Sequence, residues 1–185
     1  MPRIPPVDDS TQDPHKLAAV KMVTDAWGSS WNVTSTIANN PKIIEGFLAL
    51  WEAIETSGLS KTDREVICME MARSNGCYYC IPAHRHVARQ NDIDTDMIEQ
   101  IASGQLLEGD GREATIQRLA NRLQETRGKL SDEEFAEFQD HGMSVPDMIA
   151  VIAEIAHCTI TNFTNRLAQT ELDPFLEAYR DGQPQ

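Results

Sequence analysis

Residues 60–84 read SKTDREVICMEMARSNGCYYCIPAH, and this stretch decides the fold. Ser60 and Asp63 are spaced as a helix-start pair, in which each side chain reaches the other's backbone N–H. Val66 to Ala72 is nearly continuous apolar sequence, as in a helix buried on several sides. Ser74-Asn75-Gly76 then breaks the run. A new helix is expected to open at Cys77 and to carry Cys80, Ile81, His84, Val87 and Ala88 on one stripe, because these recur at three- and four-residue steps. The reading is two consecutive helices with a pair of thiols at their joint.

The same punctuation continues in both directions. Upstream, after a proline-rich arm to about residue 12 that is expected to be flexible, Asp13-Pro14 starts a helix running to Trp27 and Gly28. Asn40-Pro41 starts another, with Ile43, Ile44, Phe47, Leu48, Trp51 and Ile54 at helical spacing before Gly58. Downstream, a short helix is expected over Met97 to Ala102, and a longer one over Arg112 to Thr126. Ser131-Asp132-Glu133-Glu134 opens the next, and Ser144-Val145-Pro146 opens a long one carrying Met148, Ile149, Ile152, Ile155, Ile160, Phe163 and Leu167. The end, Asp181 to Gln185, is expected to be loose. No alternating apolar run marks a strand. The fold class is therefore all-α, a compact single-domain helical bundle over residues 1–185.

Composition narrows the function. A chain of 185 residues is long enough to bury a core without staples. Its net charge of −13 repels phosphate backbones and anionic lipid surfaces, so neither nucleic acid nor membrane is expected as a partner. No run approaches the roughly 20 apolar residues of a membrane span, and Met1 to Pro6 lacks the apolar stretch of a signal peptide. A cytoplasmic location follows, where a C-x-x-C is redox-active or metal-binding rather than a structural staple.

A thiol attacks a peroxide or a disulfide as thiolate, so a reactive cysteine needs help to lose its proton. The joint offers a helix N-terminus, whose dipole favours the anion. It also offers His84, one turn after Cys80, to take or relay the proton. Glu65 on the preceding helix would orient the imidazole. Two intervening residues let Cys77 and Cys80 close an internal disulfide after oxidation. Tyr78 and Tyr79 flank the thiols and are candidates for shaping access. Helix-dipole reasoning with a helix opening at Cys77 favours Cys77 as the attacking thiol.

The run Asp63-Arg64-Glu65, then Asn75-Gly76-Cys77-Tyr78-Tyr79-Cys80-Ile81-Pro82-Ala83-His84, resembles the active-site signature of the alkylhydroperoxidase D and carboxymuconolactone decarboxylase superfamily, in its peroxidase-related branch. The spacing of Glu, eleven residues, Cys-x-x-Cys, three residues, His is matched at every step. Asn165 to Asp173 is similar to the same branch. The resemblance implies an all-helical fold, a homo-oligomer and a dithiol that reduces hydroperoxides or a partner disulfide with electrons from a thiol or dithiol donor. It also implies Cys80 as the thiol that becomes sulfenic acid, Cys77 as its partner, and Glu65 with His84 as the proton relay. No metal, flavin or nucleotide cofactor is called for, since no phosphate-cradling loop is present. Tyr79 stands where some alkylhydroperoxidases have a second histidine; it is a poor base at neutral pH but a competent hydrogen-bond donor.

Other readings compete. Zinc on Cys77, Cys80 and His84 would make a non-enzymatic structural joint. A redox sensor would use the pair to change its assembly, and a decarboxylase-like lyase of the same superfamily would not need the pair at all. Cys68 and Cys158 read as buried small hydrophobes and His157 as packing or interface. Trp27, Trp31 and Trp51 are assigned to core or subunit contact ahead of a pocket.

Overall fold

The computed structural model describes residues 1–182. Nine helices and no strand are present among them: α1 Pro14–Trp27, α2 Asn32–Ile37, α3 Pro41–Glu55, α4 Lys61–Ser74, α5 Cys80–Gln90, α6 Thr95–Ala102, α7 Arg112–Thr126, α8 Asp132–Asp140 and α9 Val145–Ala168. A short 3-10 helix, Pro174–Tyr179, follows. The expected start signals act as read. Asp13 caps α1, and Ser60, Ser131 and Ser144 form reciprocal capping boxes with Asp63, Glu134 and Asp147. Two elements, α2 and the 3-10 helix, were not expected. Of the end expected to be loose, residues 183–185 lie outside the described residues.

The helix α4 sits at the centre, packed against α5, α6, α7 and α9. That position explains its apolar run, since every residue from Glu65 to Ala72 is buried. The buried charges there are paired: Asp63 with Arg112 at 2.9 Å, and Glu70 with Arg73 and with Gln117, whose Nε2 donates at 3.0 Å. The arm before α1 lies along the bundle. Arg3 and Ile4 N–H groups donate to the Ala168 carbonyl, Val7 N–H donates to the Ser35 carbonyl, and the Val7 side chain is buried.

The joint corrects one expectation. Gly76, at φ +59°, closes α4: its N–H donates to the Arg73 carbonyl and the Cys77 N–H donates to the Ala72 carbonyl. This Schellman closure commits Cys77 to the end of α4. Tyr78 and Tyr79 then make a turn, and α5 opens at Cys80. The positive end of the α5 dipole therefore lies at Cys80 and not at Cys77.

The long helix α9 shows two apolar faces. Met148, Val151 and Cys158 face the core, whereas Val145, Ile149, Ile152, Phe163 and Leu167 are exposed. No single helix among the described residues is long and apolar enough to cross a membrane.

Candidate active site

Cys77 and Cys80 are joined as a disulfide, with their Cα atoms 5.3 Å apart. Cys80 is the first residue of α5 and borders a cavity of about 820 Å³; Cys77 is fully buried behind it. His84, one turn along α5, and Glu65, on α4, border the same cavity. The His84 Nδ1 lies 2.9 Å from Glu65 Oε2. A carboxylate only accepts, so Nδ1 carries the proton and Nε2 is left to take and return another. Burial works against the charged imidazole, but the Glu65 carboxylate, by charge and hydrogen bond, and Glu154 beyond it raise the His84 pKa. Sequence spacing thus brought together the residues that meet here.

The sulfur of Cys80 has two partners that spacing did not reveal. Asn162 Nδ2 donates to it at 3.2 Å and Asn165 Nδ2 at 3.4 Å, and both asparagines are fully buried on α9. Asn162 is itself held: Asn75 Nδ2 donates to its Oδ1 at 3.0 Å, and Gln124 Nε2 donates to Asn75 Oδ1 at 3.1 Å. A chain of amides from α7 to α9 therefore aims an N–H at the sulfur. Donors fixed in this way favour a thiolate without reorganising. The only sequence signal was that Asn165 opens the stretch similar to the peroxidase-related branch.

The two tyrosines divide their work. Tyr78 is exposed and its hydroxyl donates to the Thr170 carbonyl at 2.8 Å. Tyr79 is buried, borders the cavity and hydrogen-bonds Asp173 through its hydroxyl. Burial, then the Asp173 hydrogen bond and charge, pushes its pKa far up, so it stays a neutral donor. Asp173 also accepts from the Asn32 N–H at 3.2 Å, which ties the turn to α2.

Three readings of the sequence change. Trp27, Trp31 and Trp51 border the cavity, together with Phe47. His157 packs as expected, stacked on Phe47 at 4.1 Å between centroids, but it also borders the cavity. Cys68 and Cys158 are buried as expected, and they also meet: their sulfurs are 3.1 Å apart. The set of residues with metal-ligating spacing among the described residues is Cys68, Glu154 and Cys158, whereas Cys77 and Cys80 are bonded to each other. His86 belongs to an aromatic group with Trp31, Phe175 and Tyr179.

Glu154 is the largest omission of the sequence reading. It is buried on α9, 2.8 Å from Arg64 Nε through one oxygen and 3.3 Å from the Cys68 sulfur through the other. Burial opposes its charge, but His157, whose Nδ1 lies 3.6 Å away, and the Arg64 guanidinium outweigh that and lower its pKa to about 2. Arg64 in turn reaches Glu55 at 2.5 Å.

Residues 41–120 match the family model described as the carboxymuconolactone decarboxylase family. No curated protein sequence matches the chain. Among solved structures, the chain is similar to an uncharacterized peroxidase-related protein from Ralstonia eutropha JMP134, described as an alkylhydroperoxidase AhpD core. The TM-score is 0.80 at 20% identity, over 97% of this chain and 96% of that one. An uncharacterized peroxidase-related protein from Silicibacter sp. TM1040 gives 0.78 at 19% identity, over 97% of each chain. A cysteine-to-alanine variant of the debrominase Bmp8 in complex with 2,3,4-tribromopyrrole gives 0.76 at 19% identity, over 96% of this chain and 95% of that one. At these identities the likeness is one of fold.

Proposed function

We propose, from the match of residues 41–120 to the carboxymuconolactone decarboxylase family model and from the site geometry, that this chain is a dithiol oxidoreductase that reduces hydroperoxides through Cys77 and Cys80, with Glu65 and His84 as the proton relay. The observation that carries the reading is the position of Cys80: first in α5, under two amide donors, on the wall of the cavity that His84 and Glu65 also border.

In the reduced chain the Cys80 thiol gives its proton to His84, whose imidazolium Glu65 stabilises. The thiolate attacks the outer oxygen of the hydroperoxide, the O–O bond breaks, and the leaving alkoxide takes the proton from His84 and departs as alcohol. The sulfur is now a sulfenic acid and the peroxide oxygen has been reduced. Cys77 attacks that sulfur, its thiol proton leaves with the hydroxyl as water, and the disulfide closes. An external thiol or dithiol reopens it by exchange. Tyr79 stays out of the proton traffic and holds the turn against Asp173.

A second reading is favoured by the aromatic wall of Trp27, Phe47 and Trp51 and by the likeness to a debrominase holding a brominated pyrrole. There, two thiols and an aryl bromide would give the aryl hydride, the disulfide and hydrogen bromide. The decarboxylase-like reading needs neither thiol. One experiment separates the three. Hydroperoxide, bromopyrrole and lactone consumption are measured with a dithiol donor for the wild type and for the variant with both Cys77 and Cys80 changed to Ser. Thiol-dependent loss of hydroperoxide alone supports the proposal; lactone turnover that survives the double change overturns it, as does bromopyrrole turnover without hydroperoxide turnover. Self-association through the exposed stripe of α9 is part of the same proposal.

A further inference from the structure

The cavity wall holds two thiols that the mechanism above does not use. Cys68 on α4 and Cys158 on α9 are both buried, and their sulfurs are 3.1 Å apart. Glu154 Oε1 is 3.3 Å from the Cys68 sulfur and 3.9 Å from that of Cys158. A disulfide bond is about 2.05 Å long, so closure needs the sulfurs, now 3.1 Å apart, to approach by roughly 1 Å. Both cysteines border the cavity that Cys80 and His84 border, so an oxidant that reaches Cys80 is admitted to the space beside them. A bound metal fits less well. Among the described residues three ligands meet there, Cys68, Glu154 and Cys158, where a structural zinc site takes four. The Arg64 guanidinium on Glu154 also opposes a cation there.

We propose that Cys68 and Cys158 are a second redox couple, which the hydroperoxide admitted to the cavity converts to a disulfide. Each chain then stores four reducing electrons instead of two. For its oxidant this rests on the peroxidase reading. The Cys158 thiolate attacks the outer peroxide oxygen, the O–O bond breaks, and the alkoxide leaves with the proton that the thiol gave up. Cys68 then attacks the resulting sulfenic acid, the S–S bond forms, and the hydroxyl leaves as water with the Cys68 proton. Two thiols are oxidised and one peroxide bond is reduced.

The environment sets the order of events. The contact with Cys158, and then burial, hold the Cys68 thiol well above the ordinary thiol range. The contact with Cys68 favours the Cys158 thiolate, but burial and Glu154 outweigh it and raise that thiol as well. Cys80 has two amide donors on its sulfur and stands at the start of α5, neither of which this couple has, so the couple oxidises after Cys77 and Cys80.

The test uses the folded wild-type chain, reduced at all 4 cysteines and freed of reductant. One sample receives excess alkyl hydroperoxide and another receives diamide, which oxidises thiols without peroxide chemistry. Each is then alkylated under denaturing conditions and digested without reduction. The expected result is a peptide pair cross-linked through Cys68 and Cys158 in both samples, with two equivalents of hydroperoxide consumed per chain in a fast and a slow phase. Cys158→Ala should halve that consumption. If Cys68 and Cys158 remain alkylatable in both samples while one equivalent is consumed, the second couple is overturned and the peroxidase reading stands. If diamide links them but hydroperoxide is untouched, the couple stands and the peroxidase reading falls. Stoichiometric zinc that shields both thiols from diamide would also overturn the couple.

Discussion

Asn162 Nδ2 lies 3.2 Å from the sulfur of Cys80, held there by Asn75, which Gln124 holds in turn. A donor that is already oriented stabilises a thiolate without further ordering, and a hydrogen bond to a charged group contributes about 1.5 kcal/mol. Asn162→Ala is therefore expected to raise the Cys80 thiol pKa by about one unit and to cut the thiolate fraction at neutral pH roughly tenfold. The pH dependence of iodoacetamide labelling at Cys80 in the reduced chain measures this. An unmoved profile in a folded variant would show that the amide does not act on the sulfur.

The pair His84–Glu65 gives a pH prediction with a definite sign. The folded His84 pKa is raised above 6.5, so protonated His84 stabilises the fold fully below that value, and the contribution is lost as pH rises through the higher folded pKa. Glu65→Gln should lower the His84 titration midpoint and remove this stability below pH 6.5. Ring-proton NMR titration and urea melts on either side of the midpoint read the two effects. A His84 midpoint equal to that of the wild type would rule out the coupling.

Glu154 behaves in the opposite sense. Its folded pKa is lowered from 4.5 to about 2, so its stabilisation is present above pH 4.5 and lost as pH falls through about 2. Arg64→Met strands the buried carboxylate and is expected to cost about 3 kcal/mol near neutral pH. The variant should also begin to unfold in acid at higher pH than the wild type. Chemical denaturation at several pH values decides this; a variant as stable as the wild type would mean that Arg64 is not the partner that holds the charge.

How much of this was legible in the chain follows from where each partner lies. Asp13, Ser60, Ser131 and Ser144 announce their helices because a cap is local, and Glu65, Cys80 and His84 announce themselves because one joint brings them together. The spacing puts the start of α5 at Cys77, three residues early, since it cannot tell that the Cys77 N–H is spent on the Schellman closure of α4. The short α2 and the 3-10 helix are held by long-range bonds, such as Asp173 to the Asn32 N–H, that no local pattern encodes. Glu154 left a readable trace, a lone acid among Ile149, Val151, Ile152 and Ile155. Its partner Arg64 is 90 positions away. The cavity depends on α1, α3, α4, α5 and α9 together, which is why the tryptophans were assigned elsewhere.

The outer face of α9 carries Val145, Ile149, Ile152, Phe163 and Leu167, all exposed, at mostly three- and four-residue steps. A stripe with this spacing fits a facing helix, and a second copy of the chain supplies one. Phe163→Glu should reduce the mass measured by light scattering in solution to that of a single chain, 20.7 kDa, with the thiol chemistry retained. A wild type that is already monomeric at tens of micromolar would refute self-association.

The central claim is that Cys80 is the sulfur that meets the peroxide. The most direct measurement treats the reduced Cys77→Ser variant with an alkyl hydroperoxide in the presence of dimedone and locates the adduct by mass spectrometry. The account predicts a dimedone adduct on Cys80 and hydroperoxide consumed at close to the wild-type initial rate. Hydroperoxide left unconsumed, or consumed with Cys80 unlabelled, would contradict it.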